Sequence, residues 1–284
     1  MNCWSAGLRT PDTGLRTFAS AFILIFSVCL GGCAVRRPPQ PAPPPVALPS
    51  AQELLTKLDA RRQSLTSLRG LARVVYTDPH DRGTAKQAVA VVAPDQFRLE
   101  LFSPIGIMSL ITCDGRALVA YFPREKTIYR GAATPLNVAR FTRVMLSARD
   151  IASLLLGLPP VLPRDSAVGT VGFDADRGWV RLDFPLPGGS TFVLWFAQQT
   201  LLLTRWEMLA SDGTLLARVS LADYRRVNDQ DFPFEIALSD PQGKQEASVY
   251  YERVELPPHL PDSLFTLAPI AGAQEVDVDA LAVE

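Results

Sequence analysis

Covalent chemistry in a protein is carried by a short list of side chains, and in this 284-residue chain they are few and scattered. The two histidines, His80 and His259, stand beside Pro79 and Pro258 in turn-like segments, which reads as solvated loop positions rather than bases aimed at a nucleophile. No nucleophile elbow, phosphate loop or pair of metal ligands at helical spacing is present. The glycines between Gly169 and Gly172 and the pair Gly188-Gly189 are not followed by a capped helix, so they present no helix N-terminus to phosphate and read as hairpin glycines. Asp277 and Asp279 lack the glycine and the downstream glutamate of a calcium loop. The expectation is a protein that is not an enzyme and carries no cofactor or metal, with a purely carboxylate-based hydrolase as the enzymatic alternative. What remains is thiol chemistry at four cysteines.

Cys33 is the one with a context. It follows Leu30-Gly31-Gly32 at the end of the apolar run 18–30 and precedes a proline-rich stretch. A membrane span takes about 20 apolar residues, whereas a secretory core takes roughly 7–15, and the run fits the second. Arg9 and Arg16 supply positive charge ahead of it. Pro11 and Asp12 are unusual in such a region and suggest a start downstream of Met1. The pattern resembles the lipobox of bacterial lipoproteins. That resemblance implies removal of a signal peptide, 1–32, acylation of Cys33 and attachment to membrane lipid. Ala34, rather than aspartate, after the cysteine implies the outer membrane, facing the periplasm. Cys3 and Cys29 then leave with the signal and Cys33 is consumed, so Cys113 stands alone and no intramolecular disulfide can form. Cys113 falls in an apolar strand-like run and is expected to be buried and inert.

Composition sets the frame for the rest. With 48% hydrophobic and 20% charged residues the chain can build a sizeable core. A formal net charge of −1 offers nothing to nucleic acid. Residues 33–49 form a tether in which Pro38, Pro39, Pro41 and Pro43 to Pro45 favour an extended polyproline helix. At roughly 3.1 Å per residue it would reach about 50 Å. A proline ligand for a partner domain is the alternative reading of the same prolines.

Ser50 with Glu53 forms a capping box, and Leu54, Leu55, Leu58 and Leu65 recur at helical spacing, with Lys57, Arg61 and Arg62 falling mainly elsewhere. This predicts a helix to about Leu68 with one apolar stripe. Strand-like runs follow at 70–77, 85–93, 96–102, 107–113, 117–122 and 127–130, separated by Asp78-Pro79, Pro94-Asp95, Pro104 with Gly106, Asp114-Gly115 and Pro123. In the third, Phe97, Leu99 and Leu101 alternate with Arg98 and Glu100, which predicts a sheet wet on one face. Helical signals return at Thr134-Pro135 and at Ser147 with Asp150; the run 151–156 stops at Gly157 before Pro159 and Pro160. Its Leu154, Leu155 and Leu156 predict a helix buried nearly all round, a plug or lid. Strands resume at 178–185, 190–197, 201–210, 215–224, 233–239 and 246–256, with a shorter one near 168–173. Gly188-Gly189, Asp212-Gly213 and Gln242-Gly243 mark hairpins. One long antiparallel sheet interrupted by helices is the economical reading, with two domains as the alternative. The chain beyond Gly272 is expected to fray.

Three stretches are similar to the LolA/LolB-like lipoprotein-carrier family: Arg98-Leu99-Glu100-Leu101 with Ser103-Pro104-Ile105-Gly106, Leu155-Leu156-Gly157-Leu158-Pro159, and Leu260-Pro261-Asp262-Ser263-Leu264-Phe265 with Pro269. The resemblance implies a mainly β fold of about eleven strands, an unclosed antiparallel barrel at 50–271 with an α-helical lid, followed by a tail at 272–284. It implies an apolar cavity for acyl chains, a lid carrying Leu154, Leu155 and Leu156, and a membrane-contact loop of Pro104, Ile105 and Gly106. It also implies acylated lipoprotein or lipid as cargo, and a soluble periplasmic carrier as a partner. The long proline tether and the C-terminal tail depart from the family pattern. Two functions stay open: receipt or insertion of acylated cargo at the outer membrane, and a non-transporting adaptor in an envelope complex. An open interior would favour the first, a filled one the second. For Ile105 two placements stay open, an exposed tip or packing on Ile107 or Met108.

Overall fold

The computed structural model describes residues 47–77, 79, 81–162, 169–241 and 244–281. Cys33 with its lipobox, the tether prolines, His80 and the turn Gln242-Gly243 lie outside the described residues. Val46–Glu284 forms one compact unit. Both apolar clusters fall within it, so it carries its own core.

The first helix, α1, spans Ala51–Ser64. The Glu53 amide donates to Ser50 Oγ (3.2 Å) while the Ser50 amide donates to Glu53 Oε2 (2.6 Å), which satisfies two otherwise free N–H groups of the first turn. The helix ends before the expected Leu68, because Leu65 turns the chain and Leu68 already belongs to strand β1 (Ser67–Thr77). Both leucines are fully buried, one from the turn and one from the strand.

Strands β2 (Arg82–Val92), β3 (Gln96–Ser103), β4 (Gly106–Asp114), β5 (Ala117–Phe122) and β6 (Thr127–Ala132) follow as a meander. Helices α2 (Pro135–Thr142) and α3 (Ala148–Leu155) intervene. A second meander then runs through β7 (Thr170–Asp174), β8 (Trp179–Pro185), β9 (Thr191–Ala197), β10 (Leu203–Leu209), β11 (Leu215–Val227), β12 (Gln230–Asp240) and β13 (Gln245–Glu255). The last strand is β14 (Gln274–Asp277). The fourteen form one unclosed sheet in the order β14-β6-β5-β4-β3-β2-β1-β13-β12-β11-β10-β9-β8-β7. That count exceeds the expected eleven; the short strands β7 and β14 are the two edges.

Two chain connections follow from this order. Strands β6 and β7 are consecutive in sequence yet lie at opposite ends of the sheet, so the segment carrying α2 and α3 must cross a face to link them. It crosses the inner face, with α3 on β2 and β3 and α2 on β5. The helices, Leu68, Val89, Phe97, Ile111, Leu182, Phe196, Leu221 and Ile236 share one apolar cluster. The second connection leaves β13 in the middle of the sheet and reaches the β6 edge by the outer face. Its 3-10 turn, Asp262–Phe265, packs on β3 and β4, and Leu260 and Phe265 bury Ala90 of β2. The outer face is therefore covered here rather than wet. Arg98 donates to Glu100 Oε1 (2.6 Å) and to the Leu264 carbonyl (3.1 Å) beneath that segment.

The C-terminal segment does not fray where expected. Strand β14 pairs with β6 in parallel, from Gln274↔Thr127 to Asp277↔Arg130. Asp279 accepts from the Ala132 amide (2.9 Å) and from Asn137 Nδ2 (2.6 Å) of α2, and Val278 is buried.

Candidate functional site

The lid is built from two short helices, each with a good start. Thr134 Oγ1 accepts from the Asn137 amide and Pro135 opens α2, while Ser147 Oγ accepts from the Asp150 amide to open α3. Helix α2 ends at Arg143 in the left-handed conformation (φ 59°) and presents Phe141 to an aromatic cluster with Phe122 and Tyr129. Helix α3 runs into Gly157 (φ +67°), where a Cβ would stand 2.5 Å from Pro233 Cγ, so no other residue fits without displacing β12. The leucines at its end plug the interior. Leu155, Leu156 and Leu158 are buried in the main cluster, and Leu154 packs against it from a half-buried position.

Polar contacts from α1 and β13 hold the α3 half of the lid down. Arg62 on α1 donates from Nη2 to the carbonyls of Pro159 (2.7 Å) and Pro160 (3.3 Å), and from Nη1 to Ser153 Oγ (3.4 Å). Tyr251 on β13, itself buried, donates to the Leu155 carbonyl (2.9 Å), and burial raises its pKa far above the phenolic range.

The lid leucines pack into the apolar cluster that the inner face of the sheet provides. Two grooves among the described residues open on the surface. One groove of about 430 Å³ is lined by Ser103, Ile105, Ile107, Pro123 and Arg124. The other, of about 320 Å³, lies at the opposite end of the strands, among Ser64, Thr66, Ser67, Asn228, Gln230 and Leu256.

The first groove flanks the β3–β4 loop. Gly106 takes φ +125°, a conformation that glycine adopts at no steric cost. The Ser103 hydroxyl donates to the Gly106 carbonyl (3.2 Å) and accepts from the Ile105 amide (3.3 Å), which ties the loop at its base. Ile105 is 78% exposed, and Ile107 and Met108 are themselves partly open to solvent. The alternative in which Ile105 packs into a small loop core is therefore not what forms. The hairpins β1–β2 and β3–β4 end on the same side of the sheet, as their antiparallel registers require. The lid reaches that side too: the Arg143 guanidinium lies 5.4 Å from the centre of the Tyr76 ring, and Met145, two residues on, is exposed.

Other predicted positions stand apart from these. Cys113 is fully buried in the core and its thiol is pushed up to about 11, chiefly by burial, so it stays protonated at neutral pH. His259 lies exposed in the bend after β13. Among the described residues no cluster of three or more His, Cys, Asp or Glu could hold a metal ion. Two features escaped the sequence reading. The carboxylate of Glu207 on β10 is nearly enclosed between Arg218 Nε (2.6 Å) and Trp195 Nε1 (3.1 Å) on the outer face. Arg61 lies on the buried stripe of α1 rather than off it. The spacing 51, 54, 58, 61, 65 would have shown this had the arginine been counted with the leucines.

No family model matches the chain, and no curated protein matches it in sequence. Solved structures do match. A LolA superfamily protein from Nitrosomonas europaea superposes with a TM-score of 0.53 at 18% identity, over 78% of this chain and 99% of its own. A putative outer membrane lipoprotein-sorting protein domain from Vibrio parahaemolyticus superposes with a TM-score of 0.54 at 12% identity, over 76% and 95%. A DUF1329 family protein from Desulfovibrio piger gives the same TM-score at 14% identity, over 76% and 95%. An unclosed and almost wholly antiparallel sheet, a lid linking β6 to β7 across it and this likeness to nearly the whole of three other chains together give the protein a LolA-like fold.

Proposed function

We propose that this protein is a lipoprotein of the bacterial outer membrane that binds acyl chains beneath its lid and passes acylated cargo, lipoprotein or lipid, to the bilayer. The observation that carries the proposal is the lid itself. The inner face of the sheet carries one large apolar cluster, and its cover is a segment of two short helices whose leucines occupy the space that an acyl chain would take. Lifting it exchanges one set of apolar contacts for another, so cargo and lid compete for the same surface at little net cost. The name of the Vibrio domain, a putative outer membrane lipoprotein-sorting protein domain, supports the same reading. The acylated Cys33 would hold the chain to the membrane, Ile105 would dip into lipid, and a soluble periplasmic carrier would deliver the cargo.

The packing of Leu155, Leu156 and Leu158 into the core favours a second reading, a non-transporting adaptor that keeps the fold and never opens. A fluorescent long-chain acyl probe separates the two when added to the Val46–Glu284 unit. Saturable binding, altered by Leu155→Trp, is expected of a carrier; a folded unit that binds no probe is an adaptor. The anchor has its own test. Each buried methylene contributes about 0.8 kcal/mol, so several acyl chains hold a protein firmly. Full-length Cys33→Ala should leave the membrane fraction, and its retention against salt extraction would disprove lipid anchoring.

A further inference from the structure

Helix α1 turns one stripe to the core: Ala51, Leu54 and Leu58 are buried, and Leu65 continues the same spacing just past the helix end. The position between Leu58 and Leu65 on that stripe is Arg61. Its Nε and Nη2 are shut away from solvent without a hydrogen-bond acceptor, and it forms no ion pair among the described residues. Its guanidinium lies 5.6 Å from the centre of the Tyr224 ring, an aromatic face that attracts a cation but accepts no strong hydrogen bond. The Tyr224 hydroxyl is committed to the Leu203 carbonyl (2.6 Å). Asp231, the carboxylate that acts on Arg61 from β12, is instead bonded to Arg226 (3.2 Å). Burial accordingly lowers the pKa of Arg61 from its ordinary value, against the opposing pull of Tyr224 and Asp231.

Arg61 is half-buried, with two of its three guanidinium nitrogens closed off from solvent and no carboxylate among the described residues bonded to it, and a cation so placed costs stability that a leucine at the same stripe position would not. Other buried arginine atoms do not share the problem to this degree. Arg205, for example, has the Glu207 carboxylate at 3.8 Å and the Trp179 ring beside it. What Arg61 lacks is an anion. One turn further along α1, Ser64 donates to Gln230 Oε1 (3.0 Å) at the rim of the second groove, which opens on the surface at this end of the strands.

We infer that Arg61 is the counter-ion for the head group of the cargo, so that the bound amphiphile carries a carboxylate or phosphate and lies with that group at the α1 end and its chain under the lid. This rests on the acyl-binding reading above and adds a selectivity that the apolar interior cannot supply. Neutral amphiphiles of equal chain length would leave Arg61 unpaired and bind less tightly.

The experiment compares a long-chain fatty acid, its monoalkyl phosphate counterpart and the alcohol of the same length, each displacing a fluorescent acyl probe from the Val46–Glu284 unit. Inorganic phosphate serves as a fourth competitor. The anionic lipids should bind at least tenfold more tightly than the alcohol. Arg61→Met should erase that preference while leaving the melting temperature unchanged or raised, and Arg61→Lys, which keeps the charge, should retain part of it. Equal binding of acid, phosphate and alcohol would overturn the role of Arg61 and leave acyl binding intact. Failure of all three lipids to bind would instead remove the acyl reading itself. Displacement by inorganic phosphate alone, lost in Arg61→Met, would assign the site to a free anion and overturn the head-group assignment.

Discussion

Ile105 stands 78% exposed on a loop tied at its base by Ser103, and its solvent exposure makes its substitution informative. A charge placed there is not buried, so Ile105→Glu should shift stability by no more than about 0.5 kcal/mol. Burial of one such side chain in lipid contributes roughly 1.5–3 kcal/mol. Association of the Val46–Glu284 unit with liposomes should therefore weaken by about tenfold or more. Unchanged liposome association of a stable variant would retire the loop as a membrane contact. At the opposite extreme of burial, the Cys113 thiol has its pKa raised from 9.0 to about 11 in the folded protein. A thiol that ionises less readily when folded contributes stability that is fully present below pH 9 and is lost as the pH climbs through about 11. Equilibrium unfolding should show this loss across that window, and Cys113→Ala should remove the Cys113 part of it; Tyr224, raised to about 12 by burial, supplies a later loss of the same sign. An identical pH profile in the alanine variant would show that the thiol takes no part.

Elements divide into those whose sequence announces them and those that depend on distant partners. All three helix starts were readable, because Ser50 with Glu53, Thr134-Pro135 and Ser147 with Asp150 place capping groups at fixed offsets from the first turn. The alternation of Val180, Leu182 and Phe184 with Trp179, Arg181 and Asp183 likewise matches the inner and outer faces of β8. The end of α1 was not readable: Leu65 and Leu68 fit a helical spacing as well as they fit a turn and a strand. Strand β14 was hidden for another reason, being short and charged, with a register set by parallel pairing to β6 far back in the chain. The lid was legible as buried leucines, but its fastening was not, since the shorter bonds of Arg62 go to backbone carbonyls that no side-chain pattern reports. Hydrogen bonds to a charged group contribute about 1.5–3 kcal/mol. Arg62→Met should accordingly speed amide exchange in α3 by about tenfold or more while β12 and β13 keep their protection. Equal exchange in α3 of both proteins would mean that the fastening lies elsewhere, with Tyr251 as the remaining candidate.

For the molecule as a whole, the order of strands was beyond the reach of local patterns, because two meanders can join in several ways. The join that forms sets β1 against β13, from Arg69↔Glu255 to Thr77↔Glu246, with a bulge at Leu71 and Ala72. A second, shorter seam sets β14 against β6. Strands before the lid and strands after it pair along these two lines, with the outer-face segment at Leu260 and Phe265 adding packing on β2, while the lid itself supplies the covalent link between β6 and β7. One peptide bond hydrolysed at an engineered protease site after Pro160 should therefore yield two pieces that elute together under native conditions and part only in denaturant. Pieces that separate without denaturant would show that the seams are too weak to stand alone. If they hold, the protein is a two-piece assembly strung on one thread, and the unbroken thread is not what keeps the pieces together.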